Sequence, residues 1–89
     1  MPTLVIPPPY RGPTQGRERI EVPGRTVGEC IGAADAMHPG LLALLVDGDG
    51  AVHRFNKLFR NGDQLLGDVL AAPLADGDEL EVLSAIAGG

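Results

Sequence analysis

Few residues in this chain have the types and spacing that chemistry requires. The last five, Ala85-Ile86-Ala87-Gly88-Gly89, place two residues without side chains just before a terminal α-carboxylate. Glycine has no Cβ, so its backbone approaches another surface closely and adopts conformations closed to other residues. Such an end is expected to thread a narrow channel and present the Gly89 carboxylate to a reagent inside it. The chemistry offered there is activation as an acyl-adenylate followed by attack from a nucleophile. The competing reading is a frayed terminus without a role, since terminal residues are often disordered unless tied down.

Other groupings fail on spacing. Asp47-Gly48-Asp49-Gly50 begins like a calcium loop, but its fifth and twelfth positions are Ala51 and Leu58, so no metal site is expected. Cys30 falls on the apolar side of a helical pattern, where a free cysteine serves as a small core residue. His38 and His53 are far apart in sequence, with no cysteine or paired carboxylates at ligand spacing. His38 instead suits a helix C-terminus, where a partly positive imidazole is favoured. No phosphate-loop lysine follows Gly28 or Gly32, and spacing supports no Ser/His/Asp arrangement. Nothing in this set makes an enzyme.

The elements that must position the tail are legible in the order of the chain. Thr3-Leu4-Val5-Ile6 is an apolar, β-branched run that Pro7, Pro8 and Pro9 close. A polar loop from Tyr10 to Gly16 follows, and Arg19-Ile20-Glu21-Val22 alternates as a second strand, which together predict an antiparallel hairpin. Thr26-Val27-Gly28-Glu29 fits a capping box. Val27, Cys30, Ile31, Ala34 and Met37 then recur on one helical face, predicting a helix over 27–38 that stops at Pro39-Gly40. Leu41 to Val46 fits either a short helix or a buried strand, with a helical turn preferred.

Asp47 to Gly50 reads as a turn, and Val52 to Arg60 as a strand with Phe55 and Phe59 on one face and Leu58 on the other. Asn61-Gly62 is a hairpin turn, with Gln64 to Leu66 as the returning strand. The segment 67–74 is irregular or a single helical turn, and Asp76-Gly77-Asp78 turns into a final strand with Leu80 and Val82 on one face and Glu79 and Glu81 on the other. Phe55 and Phe59 either join the core or, if the opposite face is inward, form an apolar partner-docking surface. This order suits an α+β fold: a sheet of four to five strands with one main helix packed on one face.

Composition narrows the function classes. At 89 residues and 44% hydrophobic content the chain is one domain near the lower end of sizes that fold on a single core. A lone cysteine permits no internal disulfide and fits a reducing cytoplasm. With neither a cationic leader before an apolar run nor a membrane-length stretch, a cytoplasmic protein without membrane partners is expected. The net charge is −5. All basic residues lie at or before Arg60, whereas Asp63, Asp68, Asp76, Asp78, Glu79 and Glu81 follow without a base. Nucleic acid is a poor partner for that surface. The acidic half is either a solvated face or a means of steering toward a basic protein surface.

Three stretches together resemble the MoaD/ThiS family of ubiquitin-like sulfur carriers. They are His53-Arg54-Phe55 leading to Asn61-Gly62, then Pro73-Leu74-Ala75-Asp76-Gly77-Asp78-Glu79, and then Ala85-Ile86-Ala87-Gly88-Gly89. Ser84 departs from the family pattern, which often has proline there, and Arg60 occupies a strand position that is often apolar. The resemblance implies a β-grasp (ubiquitin-like) domain over residues 1–84, with the last strand central beside the first, and a flexible tail over 85–89. It implies that an E1-like adenylating enzyme of the MoeB/ThiF type uses Mg-ATP to adenylate Gly89, and that a sulfur source then displaces AMP to leave a thiocarboxylate.

Gly88, Ala87, Ile86 and Ala85 would enter the partner's active site. A sulfur-accepting biosynthetic enzyme consumes the sulfur, in the synthesis of cysteine, molybdopterin, thiazole or a secondary metabolite. The chain most resembles carriers of the cysteine type. It would bind no cofactor itself and be a monomer when free. The alternatives are a ubiquitin-like modifier conjugated to lysines and a passive interaction domain.

Overall fold

The computed structural model describes residues 1–85. Five strands form one mixed sheet: β1 (Thr3–Val5), β2 (Arg19–Glu21), β3 (Asn56–Arg60), β4 (Asp63–Gln64) and β5 (Glu79–Ser84), in the order β2-β1-β5-β3-β4. The strand formed last in sequence is therefore central. It runs parallel to β1, with Leu4 opposite Leu80, and antiparallel to β3, with Leu58 opposite Val82.

Period-two alternation sends Leu4, Ile20, Leu58, Leu80 and Val82 to one face. There they pack with Val27, Cys30, Ile31 and Ala34 of helix α1 (Val27–Met37). Full burial of one such side chain is worth about 1.5–3 kcal/mol, against about 1 kcal/mol net for one hydrogen bond. Packing therefore sets the register. A slip of one residue would expel Leu80 and Val82 and bring Glu79 and Glu81 inward.

The predicted capping box is present. The Glu29 N–H donates to Thr26 Oγ1 at 3.1 Å, while Glu29 Oε1 accepts from the Arg25 N–H at 3.0 Å, one residue before the cap. Leu41–Leu45 is helical and forms α2. Its entry is capped from α1, because Asp35 Oδ1 accepts from the N–H groups of Gly40 and Leu42. The Asn61-Gly62 hairpin has φ of 51° and 89°, the paired positive values that a two-residue type I′ turn requires. Asn61 also reaches the next turn. Its Nδ2 donates to Asp78 Oδ1, and its Oδ1 accepts from the Glu79 N–H.

Several sequence expectations need correction. Tyr10, placed in a polar loop, is 5% exposed and belongs to the core. Pro8–Tyr10 forms a 3-10 turn in which the Tyr10 N–H donates to the Pro7 carbonyl, turning the ring inward. Met37, the last residue of α1, is 54% exposed, and the buried face of the helix ends at Ala34.

The strand expected from Val52 begins only at Asn56. Val52 makes an isolated bridge to Val46, and the Asn56 N–H donates to the His53 carbonyl, closing a turn that interrupts the extended run. The returning strand covers Asp63–Gln64 rather than 64–66, and Leu66 is exposed. The segment 67–74 contains the single 3-10 turn Val69–Ala71, whose flank binds the start of α1 through the Val27 N–H and the Ala72 carbonyl.

Two measurements follow from these contacts. Thr26→Ala leaves the Glu29 N–H without its side-chain acceptor and is expected to lower unfolding free energy by about 1 kcal/mol in urea titration, with an unchanged slope. The Asp78 carboxyl is held below the usual carboxylate range, chiefly by the Ala75 N–H and then by the Asn61 side chain. A lowered folded value means that its contribution is fully present above the ordinary carboxylate pKa and is lost as pH falls through the lowered one. Asp78→Asn should flatten that part of the stability–pH curve, and an unchanged curve would refute the assignment.

Candidate functional site

Chemistry by this domain's own side chains finds little support in the geometry. Cys30 is fully buried against Gly24 and the core, and burial pushes its thiol pKa up, away from the reactive thiolate. A Cβ on Gly24, whose φ is +151°, would lie 2.6 Å from the Cys30 sulfur, so the thiol sits in a closed wall. His38 caps the C-terminus of α1. His53 stacks on Phe55 with centroids 4.8 Å apart and has Nε2 3.2 Å from the Ala43 carbonyl oxygen.

The Asp47 loop is a turn held by its own carboxylate, which accepts from the Asp49 and Ala51 N–H groups. Among the described residues no group of three or more His, Cys, Asp or Glu is placed to hold a metal ion. A cleft of about 350 Å³ opens beside β3 and is lined by Val52, Arg54, Lys57, Leu65 and Leu70 among others. Among the described residues its lining holds a single carboxylate, Asp68, and no serine, threonine or cysteine. Among the described residues, no helix is long and apolar enough to cross a membrane.

What the fold does build is an exit. Strand β5 ends at Ser84, and the Ala85 N–H donates to the Phe55 carbonyl at 2.8 Å, the last such bond among the described residues. Beneath this point lies a polar cluster that inspection of the sequence passed over. The Tyr10 hydroxyl is 2.6 Å from Asn56 Oδ1 and 3.0 Å from Ser84 Oγ, and Asn56 Nδ2 donates to the Leu44 carbonyl at 3.1 Å. Tyr10 and Asn56 are 5% and 6% exposed. The one available signal was Asn56, a polar residue at an inward position of an alternating strand, since such a group is buried only with partners.

Ala85 is thus fixed to β3. The other expected tail residues, Ile86, Ala87, Gly88 and Gly89, lie outside the described residues. Phe55 and Phe59 are both half-buried. Leu58 faces α1, so Phe59 stands on the opposite, open face with Lys57, Glu81 and Leu83. The site expectations therefore divide. Of the residues described, Ala85 follows the end of β5, Phe59 stands on the open face of β3, and Phe55 lies just before β3.

A helix on one face of a mixed sheet, with the last strand central and parallel to the first, defines a ubiquitin-like β-grasp protein. Comparison with known proteins makes the class specific. The ThiS family model matches residues 10–89. The chain is 33% identical over 90 residues to the sulfur carrier protein CysO of Mycobacterium tuberculosis (strain ATCC 25618 / H37Rv), across 98% of this chain and 97% of that one.

Among solved structures, a chain of the Amycolatopsis orientalis BexX/CysO complex superposes with a TM-score of 0.91 at 36% identity, covering 100% of both chains. Mycobacterium tuberculosis CysO superposes at 0.89 and 31%, covering 96% of this chain and 99% of that one. SAMP1 from Haloferax volcanii gives 0.76 and 27%, covering 99% and 98%. The chain belongs to the ThiS family.

The burial of Cys30 is directly testable. In native protein its thiol should react with a disulfide reagent slower than a free thiol by orders of magnitude, at a rate limited by opening of the fold. Prompt stoichiometric labelling without denaturant would disprove the closed packing.

Proposed function

We propose that this chain is a sulfur carrier of the cysteine-biosynthesis type and a protein-borne reagent rather than a catalyst. The observation that supports this reading most is the full-length likeness to CysO, joined to a central strand whose end at Ser84 is followed in sequence by Ala85-Ile86-Ala87-Gly88-Gly89. An adenylating enzyme would join the Gly89 carboxylate to AMP from Mg-ATP, releasing pyrophosphate. Hydrosulfide or an equivalent sulfur donor would then attack the acyl carbon and expel AMP, leaving a thiocarboxylate. A biosynthetic enzyme would use that sulfur as its nucleophile.

The chain's own residues contribute placement to this sequence. Two glycines let the end pass where a side chain would not. The central strand gives the tail a rigid base, and Phe55 and Phe59 offer apolar surface beside it for docking. The reported structure of an Amycolatopsis orientalis CysO in complex with BexX supports the expectation that a partner enzyme binds such a carrier. The fold shared with SAMP1, whose kin are termed small archaeal modifier proteins, favours lysine conjugation as the second reading.

Intact mass after incubation with an adenylating enzyme, Mg-ATP and sulfide tests the reading. One oxygen should be replaced by one sulfur, mapped to the C-terminal peptide. Deletion of Gly88 and Gly89 should abolish conversion with the fold retained, and Phe59→Ser should raise KM without abolishing it. An unchanged mass, with the enzyme active on its own carrier, would refute sulfur carriage. Lysine-linked adducts in extract would point to the modifier.

A further inference from the structure

Buried polar side chains on an otherwise apolar sheet face call for an explanation, and Asn56 and Tyr10 sit directly under the point where the chain leaves β5. The proton placement follows from the partners. Asn56 Nδ2 faces the Leu44 carbonyl, so Oδ1 is the side turned to Tyr10. The single Tyr10 hydroxyl proton is then committed to Asn56 Oδ1, and the Ser84 hydroxyl donates to the Tyr10 oxygen. The result is a directed relay from Ser84 through Tyr10 and Asn56 to Leu44, crossing β5, the 3-10 turn, β3 and α2.

Tyr10 itself is held at the end of a stiff arm. Prolines 7, 8 and 9 restrict φ, and Arg11 Nε donates to the Ile6 carbonyl at 2.8 Å behind it. Thr14, the other polar residue among the most buried, closes only its own loop by donating to the Arg17 carbonyl. The Tyr10 cluster differs because its free end grips the last residue of the central strand.

We infer that Tyr10, Asn56 and Ser84 are positioning residues that fix the direction in which the chain leaves β5 and so aim the tail at a partner's active site. The role in transfer rests on the sulfur-carrier reading, whereas the positioning does not. Among the described residues, main-chain pairing holds Ala85 by one bond, to Phe55. A residue at the end of a ladder frays unless a side chain holds it. The relay supplies that hold one residue earlier.

The test uses the full chain with Ser84→Ala, Tyr10→Phe and Ser84→Pro. Amide hydrogen exchange should speed up at Ala85 in the first two variants, with Lys57 and Glu81 in the middle of the β3–β5 ladder unchanged. With an adenylating enzyme that converts the wild-type chain, kcat for thiocarboxylate formation should fall about fivefold, the worth of one ordinary hydrogen bond. KM should be unchanged, because the docking face is untouched. Ser84→Pro should restore kcat without any hydroxyl. Position 84 exchanges no ladder bond with Asn56, the bond there coming from Ala85, and proline fixes φ by itself.

Unchanged exchange at Ala85 in both hydroxyl-deletion variants would overturn the inference. So would a loss of protection spread evenly over β3 and β5, which marks a purely structural cluster, or unchanged kcat despite faster exchange. If no enzyme converts the wild-type chain, that counts against sulfur carriage alone, because the exchange experiment reads the positioning without any enzyme.

Discussion

Leu80 and Val82 enter the core from the strand completed last, and they do so between two partners of opposite direction, β1 on one side and β3 on the other. Every other feature of the fold depends on that placement. Because β5 pairs with β1, which lies near the start of the sequence, the apolar face of α1 stays only partly covered until the end of the chain arrives. Contacts of such long sequence separation cost loop entropy before packing compensates. The same closure gives the tail a base in the middle of the sheet, whereas an edge strand would frame it on one side only.

Polar contacts on the periphery are arranged around this centre. Asn61 spans two turns, binding Asp78 and the Glu79 backbone, so the hairpin that follows β3 is locked to the turn that starts β5. Arg60 donates to the Pro73 carbonyl from the same end of β3. That contact gives the guanidinium of a strand residue a partner within the fold. Arg19 and Glu79 pair across the outer face of β2 and β5, an exposed ion pair of the kind that contributes little to stability.

At the opposite end of β5 the design changes from exposed charge to buried hydrogen bonding. Tyr10 and Asn56 lie under Ser84, the last residue of β5, and the half-buried Phe55 supplies the carbonyl that accepts from the Ala85 N–H. The carrier chemistry proposed for the C-terminus sets two demands. The end must be slim enough to enter a partner, and its origin must be stiff enough that entry does not become a random search. Glycines meet the first demand locally in sequence, and only packed tertiary structure can meet the second.

Periodicity and turn chemistry alone determined a good deal here. The α1 face with its Thr26–Glu29 cap, the Asn61-Gly62 hairpin, and the Leu80 and Val82 face of the last strand are all local patterns that survive folding. Alternation left open which face of the Phe55-to-Phe59 stretch turns inward, and the packing of Leu58 in the core decided it. The placement of β5 beside β1 entered through resemblance, since no pattern within a strand names its neighbours. Tertiary structure also decided that Tyr10 is a core residue, that Met37 and Leu66 are exposed, and that the strand begins at Asn56 rather than Val52. In each case the deciding contact joins residues far apart in sequence, as when the Tyr10 hydroxyl meets Asn56 and Ser84. A polar group reads as surface until the partner that satisfies it is brought alongside, and only the folded chain does that.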